Sequence, residues 1–127
     1  MKLRFDKNSV RLRVKKSDLQ ILREKNSIQE TVHFPDGSFD YVLSISDHSR
    51  DVTASMQGKS VQVTIPSNIA RLWIDNDETG IYHTLNFNNN HSLDIIIEKD
   101  FPCKDQLVVD QSDSFIELSE KNKSKQC

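Results

Sequence analysis

Glycine is scarce in this chain: there are three in 127 residues, with three prolines and two cysteines. A phosphate-cradling loop needs glycines to bring backbone amides against an anion. Neither a G-x-x-x-x-G-K-[ST] run nor a G-x-G-x-x-G run occurs. Two cysteines are too few for a disulfide framework, and in a reducing compartment they are free thiols. An excess of positive charge is lacking as well. Lys and Arg number 17 against 19 Asp and Glu, for a net charge of -2, which argues against nucleic acid as a partner. No stretch approaches the roughly 18 consecutive apolar residues of a membrane-crossing helix. The opening Met1-Lys2-Leu3-Arg4-Phe5-Asp6 has no apolar core of a secretory signal. These absences predict a cytoplasmic protein with no membrane partner.

What remains is polar but globular, with 35% hydrophobic and 28% charged residues. A chain of this length is one domain by the usual prior, and it buries enough surface to fold with no metal, disulfide or cofactor required. The expected division is a single domain over residues 1–103 and a polar C-terminal tail over 104–127, partly ordered.

Apolar residues recur mainly with a period of two, the mark of half-buried strands. Leu3 and Phe5 share a parity, as do Val10, Leu12 and Val14, so residues 2–14 read as a hairpin turning at Asp6-Lys7-Asn8. Ser17-Asp18-Leu19-Gln20 fits a capping box that opens a two-turn helix, and Asn26 can close it in the left-handed conformation. Ile28, Val32 and Phe34, the turn Pro35-Asp36-Gly37-Ser38, and Phe39, Tyr41, Leu43 and Ile45 form a second hairpin. Val52, Ala54 and Met56 are answered by Val61, Val63 and Ile65 across Gly58, making a third. Ser67 is a candidate cap for a second helix carrying Ile69, Ala70, Trp73 and Ile74, and a fourth hairpin runs from Ile81 to Ile97 around Asn88-Asn89-Asn90. The order ββαββββαββ predicts an α+β fold: a mainly antiparallel sheet curled toward an open barrel, two short helices and an extended C-terminal tail. The layout repeats a ββα unit, with no residue-level repeat evident.

Five elements together resemble a family of small, uncharacterised bacterial proteins, and the resemblance covers nearly the whole chain. They are Asn8-Ser9-Val10-Arg11-Leu12-Arg13-Val14, the later Ile65-Pro66 with Ala70 and Trp73, Ile97-Glu98-Lys99-Asp100-Phe101 with Cys103, Asp110-Gln111-Ser112-Asp113 with Phe115, and the terminal Cys127. Gln111 and Ile116-Glu117 depart from the family pattern, which is more acidic there and has Asn-Pro after the Phe. The resemblance implies one compact domain of bacterial, cytoplasmic origin. It lends no reaction, ligand or catalytic residue.

Three constellations carry chemistry. Lys2, Arg4, Arg11 and Arg13 share one face of the first hairpin, where arginines on rigid strands can hold a carboxylate or phosphate in two-pronged fashion. Arg4, Arg11 and Arg13 are therefore candidate anion-binding residues. The plainer reading is a solvated face paired with Glu30 or Asp40. The second constellation is the acidic and thiol cluster of Glu98, Asp100, Cys103, Asp105, Asp110, Asp113 and Cys127. Asp100, Cys103, Asp110, Asp113 and Cys127 are candidate metal ligands, although the spacing matches no zinc motif; the plainer reading has Glu98 and Asp100 facing solvent at a strand end. A Cys103–Cys127 disulfide would stabilise by about 3 kcal/mol in the chain-entropy model, against the reducing setting. The third is His83, which shares parity with Ile81, Leu85 and Phe87 and reads either as a general base or as a core residue. Trp73 reads as core rather than as an exposed anchor. No nucleophile elbow or catalytic triad is present. The expected function is a non-enzymatic binding or interaction module, with homo-oligomerisation through an edge strand or the tail. The alternative is a small-ligand enzyme or metal-binding protein built on the acidic and thiol cluster with the basic hairpin.

Overall fold

Alternation translates directly into strands in a computed structural model of the chain, which describes residues 1–101 together with Asp113, Phe115, Glu117 and Leu118. The elements run β1 (Lys2–Phe5), β2 (Ser9–Val14), α1 (Lys16–Lys25), β3 (Ser27–Phe34), β4 (Gly37–Ser46), β5 (Thr53–Gln57), β6 (Ser60–Pro66), α2 (Ser67–Asp75), β7 (Gly80–Phe87) and β8 (His91–Lys99). The expected order and all four hairpins are present. The rest of the predicted tail lies outside the described residues.

The strands form two sheets, ordered β1-β2-β8-β7 and β3-β4-β6-β5, and they do not close into a barrel. Each hairpin is antiparallel, but β2 pairs with β8 and β4 with β6 in parallel. The expected mainly antiparallel sheet is thus two mixed sheets. The physical reason is the crossover: the connection 47–52 carries the chain from β4 past the place of β6 to β5, so that β6 returns alongside β4 in the same direction, and β8 reaches β2 after both helices and the whole second sheet. β8 is central, as the apolar residues on both its faces require.

The two halves of the chain take the same form. The first, β1-β2-α1-β3-β4, gives its first hairpin to one sheet and its second to the other, and β5-β6-α2-β7-β8 does the reverse. Registers make the match residue by residue. Ser9 lies beside Asp94 and Ser60 beside Asp40. Asp94 accepts from Thr84 at 2.8 Å, and Asp40 accepts from Thr31 at 2.7 Å. Ser9-Val10-Arg11-Leu12-Arg13-Val14 and Ser60-Val61-Gln62-Val63-Thr64-Ile65 occupy equivalent places. A residue-level repeat therefore exists, hidden because only the strand framework and the apolar face are shared.

The inward faces of both sheets meet in one core containing Val10, Leu12, Val14, Leu43, Val63, Ile65, Ile95 and Ile97, into which the helices press Leu19, Leu22, Ala70, Trp73 and Ile74. Trp73 is 2% exposed, and its indole N–H donates to the Thr79 carbonyl at 3.3 Å, so the core reading of this residue holds. Asn26 closes α1 with φ of 61°, as expected. The N-terminus of α1 differs from the expected capping box. Ser17 lies inside the helix, the Lys15 N–H donates to Asp18 Oδ2 at 2.9 Å, and Asp113 approaches from the far end of the chain. It accepts from the Lys16 N–H on its carbonyl at 3.2 Å and from the Ser17 N–H on Oδ1 at 2.9 Å. Pro66 takes the N-cap position of α2, where no side chain makes a capping hydrogen bond, and the expected cap Ser67 is the first residue of the helix.

Candidate functional site

The outer face of the sheet β1-β2-β8-β7 carries an unusual concentration of charge. Register places Lys2 opposite Arg13 and Arg4 opposite Arg11, so four cations form a block on two adjacent strands. Like charges directly opposite each other destabilise an antiparallel pair, and the next strand supplies relief. Arg13 lies beside Glu98 in the parallel β2–β8 pairing. Glu98 Oε1 stands 3.5 Å from Arg11 Nε and 3.6 Å from Arg13 Nε. Asp100 Oδ1 is 3.7 Å from Arg13 Nη1, and its Oδ2 is 3.3 Å from Lys2 Nζ. The Tyr82 hydroxyl donates to Glu98 Oε2 at 2.8 Å, and the Arg13 guanidinium lies 4.8 Å over the Phe101 ring. Arg11 and Arg13 are therefore paired, but with Glu98 and Asp100 and not with Glu30 or Asp40.

Glu98, Lys99 and Asp100 are 3%, 3% and 5% exposed. Glu98 and Asp100 are thus not the solvated strand end that alternation suggests. A carboxylate removed from water needs a charged or hydrogen-bonding partner, and the arginine block meets that need. Lys99 points the other way. Its ammonium donates to the Asn76 carbonyl at 2.6 Å and lies 5.9 Å over Trp73 and 5.7 Å over Phe115, a desolvated cation held by a carbonyl and ring faces. Phe115 is buried in the same core.

The sheet brings the three candidate anion-binding arginines onto one face, in two environments. Arg13 is 14% exposed at its side chain and engaged by two carboxylates. Arg4 is exposed and has no acidic partner among the described residues, while Arg11, 31% exposed at its side chain, is met by Glu98 at Nε. The open end of the block is thus the Arg4–Arg11 pair.

The candidate metal ligands are distributed differently. Asp100 sits between Lys2 and Arg13. Asp113 sits at the start of α1, where the Ser17 hydroxyl and amide hydrogen bonds, aided by Lys15, hold its carboxyl below the usual range. Among the described residues no three His, Cys, Asp or Glu side chains converge to hold a metal; Cys103, Asp110 and Cys127 lie outside them. His83 faces inward across from Ile95 and is half-buried.

Sequence reading missed Tyr82 and the role of Glu98. Tyr82 stands opposite Ile96, one residue from the pair Ile81–Ile97, so its outward parity was visible; the parallel partnership that sets Glu98 against Arg11 and Arg13 was not.

No helix among the described residues is long and apolar enough to cross a membrane. No curated protein and no solved structure matches the chain. One family profile spans residues 1–118, and with it nearly all of the architecture above: the chain belongs to DUF7009, a family of unknown function.

Proposed function

We propose that this protein is a non-enzymatic binding module that takes an oxyanion ligand, a phosphorylated or carboxylated small molecule, at Arg4 and Arg11 on the outer face of the β1-β2-β8-β7 sheet. The comparison of the two halves carries this reading. The places of Lys2, Arg4, Arg11 and Arg13 are taken in the other sheet by Thr53, Ser55, Gln62 and Thr64, and those of Glu98 and Asp100 by Ser44 and Ser46. A hydrogen bond between the Ser44 and Thr64 hydroxyls, 3.3 Å, stands where the other sheet has its Arg13–Glu98 pair. The same fold is thus built once without charge, so packing does not call for the block. Arg13, Glu98 and Asp100 position the cations, and Arg4 with the outer nitrogens of Arg11 offers two guanidinium groups side by side, the geometry that suits a two-pronged oxyanion. Asp100 and Asp113 already have partners of their own, which favours this reading over a metal-dependent enzyme.

The test is thermal unfolding with and without pyrophosphate and citrate at low salt. The melting temperature of the wild type rises, less so as salt is added. In Arg4→Ser/Arg11→Gln, which installs the residues of the equivalent positions, the rise disappears while far-ultraviolet circular dichroism is unchanged. A wild type indifferent to both anions, or a variant that responds equally, overturns the proposal.

A further inference from the structure

Facing residues on the four strands of the β1-β2-β8-β7 sheet line up in rows, and one outward row runs Arg4, Arg11, Ile96 and Tyr82. Two strands from Arg11, roughly 10 Å at the usual strand spacing, stands Tyr82. It is 54% exposed, and its side chain lies along β7 rather than standing away from the sheet. The hydroxyl donates to Glu98 Oε2 at 2.8 Å and lies 3.0 Å from where a Cβ on Gly80, two residues earlier, would be. The bare position at Gly80 thus makes room for the hydroxyl end, and the hydrogen bond fixes the ring. Ile96, half-buried, sits between the ring and the arginines in the row. The other half supplies a comparison. The equivalent row of the β3-β4-β6-β5 sheet reads Ser55, Gln62, Val42 and Gln29. An aliphatic residue holds the third place in both sheets, whereas the two arginines and the tyrosine are exchanged together for a hydroxyl and two amides. A neighbouring row does the opposite: Ser9, Asp94 and Thr84 match Ser60, Asp40 and Thr31 residue for residue. That row belongs to the framework, and the tyrosine belongs with the arginines.

From this we infer that the ligand held at Arg4 and Arg11 is a nucleoside 5′-phosphate, its phosphate on the two guanidinium groups, its sugar crossing Ile96 and its base stacked on Tyr82. The inference rests on the oxyanion reading above and names the ligand class. A small oxyanion alone uses only the arginine end of the row. A flat aromatic base laid on the tyrosine ring removes a face of each from water. The span between the two ends selects among phosphorylated aromatic molecules: a phosphate attached directly to its ring is too short to engage both, and a sugar supplies the spacer. One ring and one arginine pair match one nucleotide. A nucleic-acid strand needs further rings or cations along its path, but one flanking row offers Asp94, and the other has Lys2 and Arg13 engaged by Asp100 and Glu98.

Calorimetric titration of the full chain with adenosine 5′-monophosphate and with ribose 5-phosphate tests this, because the two carry the same phosphate and differ at the base. The wild type binds the nucleotide at least about tenfold more tightly. Tyr82→Gln, which installs the residue of the equivalent position, brings the two affinities together with no change in far-ultraviolet circular dichroism. Tyr82→Phe, which keeps the ring and loses the hydroxyl, retains the preference for the nucleotide. Equal affinity of the wild type for the two compounds, or a preference that survives Tyr82→Gln, overturns the inference while the oxyanion reading stands on its response to pyrophosphate. A wild type that binds none of the three overturns both. A single-stranded oligonucleotide bound far more tightly than the monophosphate also overturns the inference and assigns the face to nucleic acid.

Discussion

At residue 98 a glutamate occupies the place that Ser44 holds in the other half, and its neighbour Arg13 occupies that of Thr64. Two ionised groups here do the structural work of two hydroxyls, at the cost of desolvation. Removing one partner leaves a buried charge unmatched, whereas removing both restores a combination that the fold already accepts. Glu98→Ser is therefore expected to destabilise by about 3 kcal/mol, and Arg13→Thr/Glu98→Ser by less than the sum of the two single changes. A double-mutant cycle in urea should return a coupling of at least about 1 kcal/mol; additive effects would mean that the pair is no unit. Gly80 serves the same spot. A Cβ there would lie 2.8 Å from the Ile97 carbonyl oxygen and 2.9 Å from Glu98 Cγ, so one of the three glycines is spent on letting β7 lie close against β8 beside this carboxylate.

Among the elements, α1 shows how local pattern and distant sequence share a task. Its apolar spacing, Leu19 and Leu22, and its left-handed stop at Asn26 were readable from adjacent residues. Its start was not, because two of the first-turn amide donors, on Lys16 and Ser17, are satisfied by Asp113, 96 positions from Ser17. A side-chain cap is worth about 1 kcal/mol, and this one is discounted by its openness to solvent. The Asp113 carboxyl titrates below its usual range, so its contribution is complete above the ordinary carboxylate value of about 3.9 and is lost as pH falls through the lowered one. Acid titration of wild type and Asp113→Ala, followed by hydrogen exchange at the Ser17 amide, which donates to the Asp113 carboxylate, should show protection that fades with acid in the wild type and is low at every pH in the variant. Protection that persists in the variant would remove Asp113 from this role. The same division explains the basic face. Parity put Lys2, Arg4, Arg11 and Arg13 together correctly, but Glu30 and Asp40 looked like the available acids because they come next along the chain. The partners are Glu98 and Asp100, reached through a parallel pairing that no local pattern announces.

For the whole molecule, strand existence followed from alternation, while strand order depended on which hairpin meets which. Val10, Leu12 and Val14 have the same signature whether their neighbour is β3 or β8. The observed order interlocks the halves, each completing a sheet that the other begins. Neither half can bury its apolar faces alone. Fragments 1–48 and 49–127, divided in the exposed connection near Ser49, should each lack cooperative unfolding, and their mixture should regain it, with Trp73 fluorescence shifting to the blue as the indole returns to the core. A fragment that unfolds cooperatively alone would show that the halves are separable units.

The parallel join of β2 to β8 sets a condition on biosynthesis. Ser9 leaves the ribosome early, but its lateral neighbour Asp94 is among the last strand residues made. Until then the first hairpin waits with one flank open, and loop closure over so long a span is slow. Nascent chains stalled before residue 94 should therefore engage chaperones, and release should follow the emergence of β8.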